Sequence, residues 1–208
     1  MADFHRKLER SAIGFVLAII GVSAIGGFVE IAPLFTIDET VEDAPDMRVY
    51  TPLEQAGRDI YIREGCYLCH SQMIRTLRDE VERYGPYSLA VESQYDHPML
   101  WGSKRTGPDL ARVGGKYSDD WQRRHLVDPR AFVHESNMPA YPWLEKAKVD
   151  GDDIAARMRA LRTLGDPYSD DDIAGAARAV AGKSELDAIV AYLQGLGRAG
   201  EPAKEAAK

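Results

Sequence analysis

The chain has 208 residues, enough for one soluble domain plus a small extra element and too few for two full catalytic domains. At 45% hydrophobic and 28% charged residues it is neither wholesale disordered nor a multi-span membrane protein, and a net charge of −7 argues against a nucleic-acid binder, which needs a basic face. Its two cysteines, Cys66 and Cys69, exclude a disulfide-dense scaffold and a four-cysteine zinc site.

Residues 1–10 carry Arg6, Lys7 and Arg10 and precede an apolar run, Ser11 to Ala32, broken only by Glu30. At about 1.5 Å per residue that run spans a hydrocarbon core of about 30 Å, and Pro33 supplies a stop, so residues 11–33 are expected to form a transmembrane helix. Bases before it and acids after it (Asp38, Glu39, Glu42, Asp43, Asp46) place residues 1–10 in the cytoplasm and the rest outside. Val22-Ser23-Ala24 would pass as a signal-peptide cleavage site, but the apolar run is longer than a signal core and continues past it. Gly14, Ala18 and Gly21 share one helical face, and Glu30 sits at the outer end, within reach of headgroup water.

Residues 34–50, acidic and without apolar period, read as a linker. A domain is expected over 51–197. Thr51-Pro52-Leu53-Glu54 is a capping box with proline in the first turn, opening a helix to about Glu64. Helical periods recur over 152–164 and 170–181, and a last helix opens at Ser184 and stops at Gly197. The stretch from Met73 to Trp143 is rich in Gly, Pro, Tyr and His and lacks a period-two pattern, so the fold is expected to be mainly α with long loops. Residues 198–208 read as a disordered tail.

Cys66-Tyr67-Leu68-Cys69-His70 has the C-x-x-C-H spacing of c-type haem attachment. Two thiols three positions apart can add to the two vinyl groups of one porphyrin, and the adjacent imidazole is then directed at the iron. A thioredoxin-like pair would follow a strand in an α/β fold, and zinc would need two further ligands nearby. One such motif means one covalent haem c, with Cys66 and Cys69 as attachment points and His70 as an axial ligand.

The sixth ligand has several candidates: Met47, Met73, Met99, Met138 and Met158, with His97, His125 and His134 behind them. Met73 is too close to His70 to reach the opposite haem face. Met138, in the loop Ser136-Asn137-Met138-Pro139, lies far enough along the chain to wrap round the porphyrin and is the preferred choice; a histidine or an open position are the alternatives. His/Met ligation raises the reduction potential and suits electron transfer.

Gly107-Pro108-Asp109-Leu110 and the succession Trp121, Leu126, Pro129, Met138-Pro139 resemble a class I cytochrome c. That resemblance implies that the first and last helices cross near the haem and that the Pro108 carbonyl orients His70. The runs Gly57 to Arg75, Arg83-Tyr84-Gly85, Tyr95-Asp96-His97-Pro98, Trp101 to Gly115 and Met138 to Trp143, with the exit Glu30 to Phe35, resemble more closely the mono-haem cytochrome c subunit (subunit O) of cbb(3)-type cytochrome c oxidases. The resemblance covers nearly the whole chain apart from its termini. Thr76-Leu77 departs from it, where Pro-Phe would be expected.

The resemblance implies a non-catalytic electron-transfer subunit of a proton-pumping oxidase. Single electrons would pass from a multi-haem cytochrome c subunit or a soluble cytochrome c toward a haem–copper catalytic subunit that reduces oxygen to water in aerobic respiration. It implies a bacterial inner (cytoplasmic) membrane location, single-pass, with the haem domain periplasmic. The stretch from Met73 to Ser103 looks like an insertion whose aromatic residues favour a docked surface. Arg105, Arg112, Tyr117 and Trp121 are donors of the kind that neutralise haem propionates, though each could equally be a packing residue. A free-standing, membrane-anchored cytochrome c shuttling between respiratory complexes is the rival reading.

Overall fold

The computed structural model describes residues 2–36 and 47–197, and the chain divides into two units, Met1–Asp43 and Ala44–Lys208. The expected tail, 198–208, and most of the expected linker lie outside the described residues.

In the first unit a short helix α1 (Ala2–Glu9) leads to Ser11, whose hydroxyl oxygen accepts the Gly14 N–H at 3.2 Å and caps α2 (Ala12–Ile31). None of α2 is buried in protein, and Ile13, Leu17, Ile20, Val22 and Phe28 all stand exposed. A helix apolar on every side suits lipid, which hydrates no backbone group and penalises every unpaired one. The apolar span runs over Ala12–Leu34 with mean hydropathy 2.4, long and apolar enough to cross a membrane. Pro33 ends the α-helical pattern but not the helical rise. It lies in the first turn of a 3₁₀ segment, Ala32–Phe35, where its fixed φ fits and its missing N–H is not needed.

The second unit is organised by two capped helices. In α3 (Pro52–Arg63) the Thr51 hydroxyl oxygen accepts the Glu54 N–H at 3.4 Å, while the Glu54 carboxylate accepts the Thr51 N–H at 2.8 Å. Glu54 also pairs with both guanidinium nitrogens of Arg48, at 2.7 and 2.8 Å. The Tyr50 hydroxyl donates to Asp96 at 2.9 Å, and the Tyr50 carbonyl accepts the Tyr168 hydroxyl at 2.9 Å. Residues 48–50 are therefore tied into the domain, which begins before the expected boundary at Thr51.

At the far end α8 (Glu185–Gly195) carries a second capping box, Ser184 with Asp187. It crosses α3 at Gly57, where an added Cβ would lie 2.7 Å from the Tyr192 Cβ and closer still to the Ala188 carbonyl oxygen. The rings of Tyr50 and Tyr61 meet the Tyr192 ring edge-on, at 5.7 and 5.5 Å. An Arg63–Glu185 pair closes the other end of the crossing at 2.5 Å.

Helices α6 (Gly151–Leu164) and α7 (Asp170–Ala179) form a hairpin against α3 and bury Ile154, Met158, Ile173, Ala176 and Val180 in the same core. The Asp150 carboxylate caps α6 by accepting from the N–H groups of Asp152 and Asp153, so that helix starts one residue earlier than the pattern indicates. Among the described residues the β structure is a single antiparallel bridge, Lys148 with Ser184.

The middle of the chain holds two helices that the loop-like composition concealed: α4 (Arg78–Tyr84), and α5 (Asp119–Val127), capped by the Ser118 hydroxyl oxygen accepting the Trp121 N–H at 3.2 Å. One buried and one half-buried arginine tie down much of the rest. Arg58, 2% exposed, donates to Asp96 at 3.1 Å, to the His97 carbonyl at 3.1 Å and to the Pro98 carbonyl. Arg105 reaches Ser71 at 2.6 Å, the Met73 carbonyl at 2.9 Å, Glu80 at 2.8 Å and Asp109 at 3.1 Å. Guanidiniums suit this because one planar fork satisfies several acceptors at once. The guanidinium of Arg105, then that of Arg75, hold the Glu80 carboxyl well below the usual carboxylate range.

Gly57→Ala forces a methyl group against backbone, and we expect it to cost about 1–3 kcal/mol, read as a drop of several degrees in the Tm of the haem-loaded chain. A Tm equal to wild type would mean that α8 can slide along α3. Because Glu80 titrates lower folded than unfolded, its contribution is complete above the ordinary glutamate pKa of about 4.3 and fades as pH falls below it. Glu80→Gln should therefore lower the Tm at pH 7 and lose its difference from wild type in acid. A gap independent of pH would assign the loss to packing.

Candidate haem site

Gly65, left-handed at φ 71°, ends α3, and Cys66–Leu68 turn as a 3₁₀ segment. The Cys66 carbonyl accepts the N–H groups of Cys69 at 3.2 Å and His70 at 3.0 Å, which folds both thiols and the imidazole onto one short loop. Both cysteines are free; Cys66 is half-buried and Cys69 exposed. Burial, then the charge of Glu64, pushes the Cys66 thiol up to about 12. Reactive thioredoxin-type cysteines are shifted the other way, and among the described residues no strand precedes this pair.

His70 Nδ1 stands 2.8 Å from the Pro108 carbonyl oxygen. A carbonyl only accepts, so Nδ1 carries the hydrogen and Nε2 keeps its lone pair for a metal. Burial lowers the His70 pKa, against the raising effect of that carbonyl and of Asp109, and so favours the neutral ring that ligation requires. Gly107 makes the approach possible: a Cβ there would lie 2.7 Å from Nδ1 and 2.8 Å from Nε2. The two segments are pinned together by Gly107 N–H to the Cys69 carbonyl and Leu110 N–H to the Ser71 carbonyl, each 2.9 Å. Asp109, 7% exposed, accepts from the Ser71 hydroxyl, from the Met73 N–H at 3.1 Å and from the Ala111 N–H at 2.8 Å.

Met138 is half-buried and, like Cys66, packs against the main core. Its loop is held by the Ser136 hydroxyl oxygen, which accepts the Met138 N–H at 3.2 Å, and by the Ser136 carbonyl, which accepts from Arg130 at 3.2 Å. The Tyr141 N–H donates to the Leu126 carbonyl at 2.9 Å, tying the loop to α5. Burial, then the charges of Cys66, Glu64 and Cys69, raises the Tyr141 hydroxyl to about 12.

The four candidate propionate donors fall into two groups. Arg105 is committed to Glu80 and Asp109, and Arg112 to both oxygens of Glu92, at 2.7 and 2.8 Å. Tyr117 and Trp121 instead stack at 4.0 Å, and Trp121 stacks in turn on His125 at 4.6 Å with Phe132 tilted beside it. Burial, then the charge of His70, lowers the His125 pKa. The Trp121/His125 spacing of four on one helical face could have singled this pair out in the sequence; the tie of Tyr141 to α5 carried no local signal.

The residues present fit a haem. Two free thiols and an imidazole with an available Nε2 stand on one loop, half-exposed aromatic rings lie nearby, and a buried nitrogen of His125 has no partner in the chain. Among the described residues no cluster of three or more His, Cys, Asp or Glu offers a metal-ion site of another kind.

No match is found among curated proteins. A family model described as cytochrome c oxidase, mono-heme subunit/FixO matches residues 5–184, from within α1 to the cap of α8. Because that match takes in the membrane helix, the cysteine loop and the Met138 loop together, the chain belongs to the mono-haem (FixO) subunit family of cytochrome c oxidase.

Proposed function

We propose that this subunit relays single electrons through one covalently attached haem c, from a cytochrome c donor toward the haem–copper catalytic subunit of a cbb(3)-type oxidase. The observation that carries this reading is the His70–Pro108 hydrogen bond, 2.8 Å long, which leaves Nε2 available beside two free thiols. When bound, the haem supplies a one-electron iron couple. Cys66 and Cys69 would hold it covalently, each through a thioether to one vinyl group. His70, from the cysteine loop, and Met138, from the loop after α5, would supply the two protein ligands to its iron, a pair suited to electron transfer. Pro108 keeps the His70 ring in one tautomer and one orientation. Oxygen reduction belongs to the catalytic subunit, and this chain's residues bind, orient and shield.

The membrane helix supports the cellular part of the proposal. The bases Arg6, Lys7 and Arg10 before α2 favour a cytoplasmic N-terminus in the bacterial inner membrane, with the haem domain in the periplasm. Tethering raises the effective concentration of the domain beside its oxidase partners, the catalytic subunit and a multi-haem cytochrome c subunit, with soluble cytochrome c as a further donor.

Met138→Ala should keep the haem covalently attached, lower its midpoint potential and open the ferrous iron to carbon monoxide. A variant with wild-type potential and no carbon monoxide binding would assign the sixth ligand to another residue. The chain lacking Met1 to Phe35, exported behind a cleavable signal, should be a soluble, red, redox-active domain; an insoluble or colourless product would make the anchor part of the fold. For the role in the oxidase, the full chain is isolated in mild detergent with whatever stays bound, and its optical spectrum recorded with and without carbon monoxide. Co-purifying b-type haems that bind carbon monoxide support the proposal. A lone c-type spectrum would favour the free-standing shuttle.

A further inference from the structure

Among the described residues, four buried side-chain atoms lack a hydrogen-bond partner: Asp59 Oδ2, Gln72 Nε2, Gln122 Nε2 and His125 Nδ1. Asp59 still pairs with Arg157 at 3.5 Å, and Gln72 is held at its other end by the Tyr192 hydroxyl at 2.9 Å. Gln122 lies on the inward face of α5 with Leu126. His125 differs in its surroundings. Its ring is stacked on Trp121 at 4.6 Å and meets the edge of Phe132 at 6.1 Å, and its pKa is lowered by burial first and by His70 second. The next residue, Leu126, accepts the Tyr141 N–H that ties down the loop carrying Met138. The turn of α5 that carries His125 is therefore bound to the loop that carries Met138.

A buried ring nitrogen has given up its hydrogen bond to water, and nothing in the chain replaces it. The stack on Trp121 and Phe132 holds the imidazole in place, as a preorganised donor requires. The acceptor must then come with the group that the site binds.

The geometry points to His125 as a positioning residue of the haem site, its buried Nδ1–H reserved for an acceptor that arrives with the haem. That acceptor is a haem carboxylate or the Met138 sulfur once it ligates. Both accept hydrogen bonds, so the tautomer with hydrogen on Nδ1 serves either. The inference rests on the haem reading of Cys66, Cys69, His70 and Met138.

The test compares full-length, haem-loaded wild type, His125→Phe, His125→Gln and Met138→Ala in detergent. The readouts are covalent haem content, midpoint potential and the methionine-to-iron charge-transfer band. His125→Phe keeps an aromatic ring in the stack, and we expect it to retain haem while shifting the potential. His125→Gln, whose amide can still donate, should return the potential toward wild type. A weakened band in His125→Phe identifies the Met138 sulfur as the acceptor, and an intact band with a shifted potential identifies the carboxylate. If Phe and Gln shift the potential equally, or neither shifts it, His125 does not act as a donor and the inference is overturned. Should His125→Phe fail to take up haem, His125→Gln decides alone: a wild-type potential supports the inference and a shifted one overturns it. Haem-free wild type, or Met138→Ala at wild-type potential, would refute the site reading itself and this inference with it.

Discussion

The contact of α3 with α8 at Gly57 is the constraint on which the domain depends. With no side chain at that position, the Ala188 carbonyl and the Tyr192 Cβ come against the α3 backbone. Such proximity buries Tyr61 and Tyr192 almost completely between the helices and sets where α3 ends. The end of α3 in turn sets the cysteine loop, because Gly65 and the 3₁₀ turn after it leave the helix at a fixed angle. The Tyr61 hydroxyl donates to the His70 carbonyl at 3.3 Å, and the Tyr192 hydroxyl to Gln72, so the crossing also grips the backbone on both sides of the candidate ligand.

Around that crossing the long middle of the chain is ordered by charge as well as by apolar burial. Arg58 and Arg105 collect carboxylates and carbonyls from segments that share no helix or strand. Burying a guanidinium is costly unless its donors are satisfied, and here each pairing also fixes a turn of irregular chain. The long loops thereby acquire definite positions without a sheet. His97, donating to Asp166 at 3.0 Å, extends the same logic to the turn between α6 and α7.

The aromatic pile on α5 is a different kind of element. Tyr117, Trp121, His125 and Phe132 interact with one another as rings, leaving Tyr117 and Phe132 about two-fifths exposed at 38% and 41%. Exposed aromatic surface of that kind is surface that a bound planar group could cover. The membrane helix stands apart from all of this, since it is apolar on every face and its sequence alone accounts for it.

Several features were legible in the sequence because the chemistry behind them is local. The C-x-x-C-H spacing of Cys66, Cys69 and His70 lies within five consecutive residues, the capping boxes at Thr51 and Ser184 follow from hydrogen bonds three residues apart, and the apolar helix matches the thickness of a bilayer. The α-helix ends before Pro33, as the sequence suggests, with a 3₁₀ turn that accepts the proline, and the Arg48–Glu54 pair draws the residues before Thr51 inward. Helix α5 was overlooked because its face is aromatic and polar rather than aliphatic, although Ser118 and the two following acids mark its start. Sequence by itself thus determined the anchor, the attachment motif and the bounding helices. Only the tertiary structure decided that Arg105 and Arg112 pair with Glu80, Asp109 and Glu92, and that His125 is left stacked on Trp121 with an unpaired nitrogen. The reason is physical: an arginine's partner or a ring's neighbour depends on distant segments meeting, and no spacing along the chain encodes that.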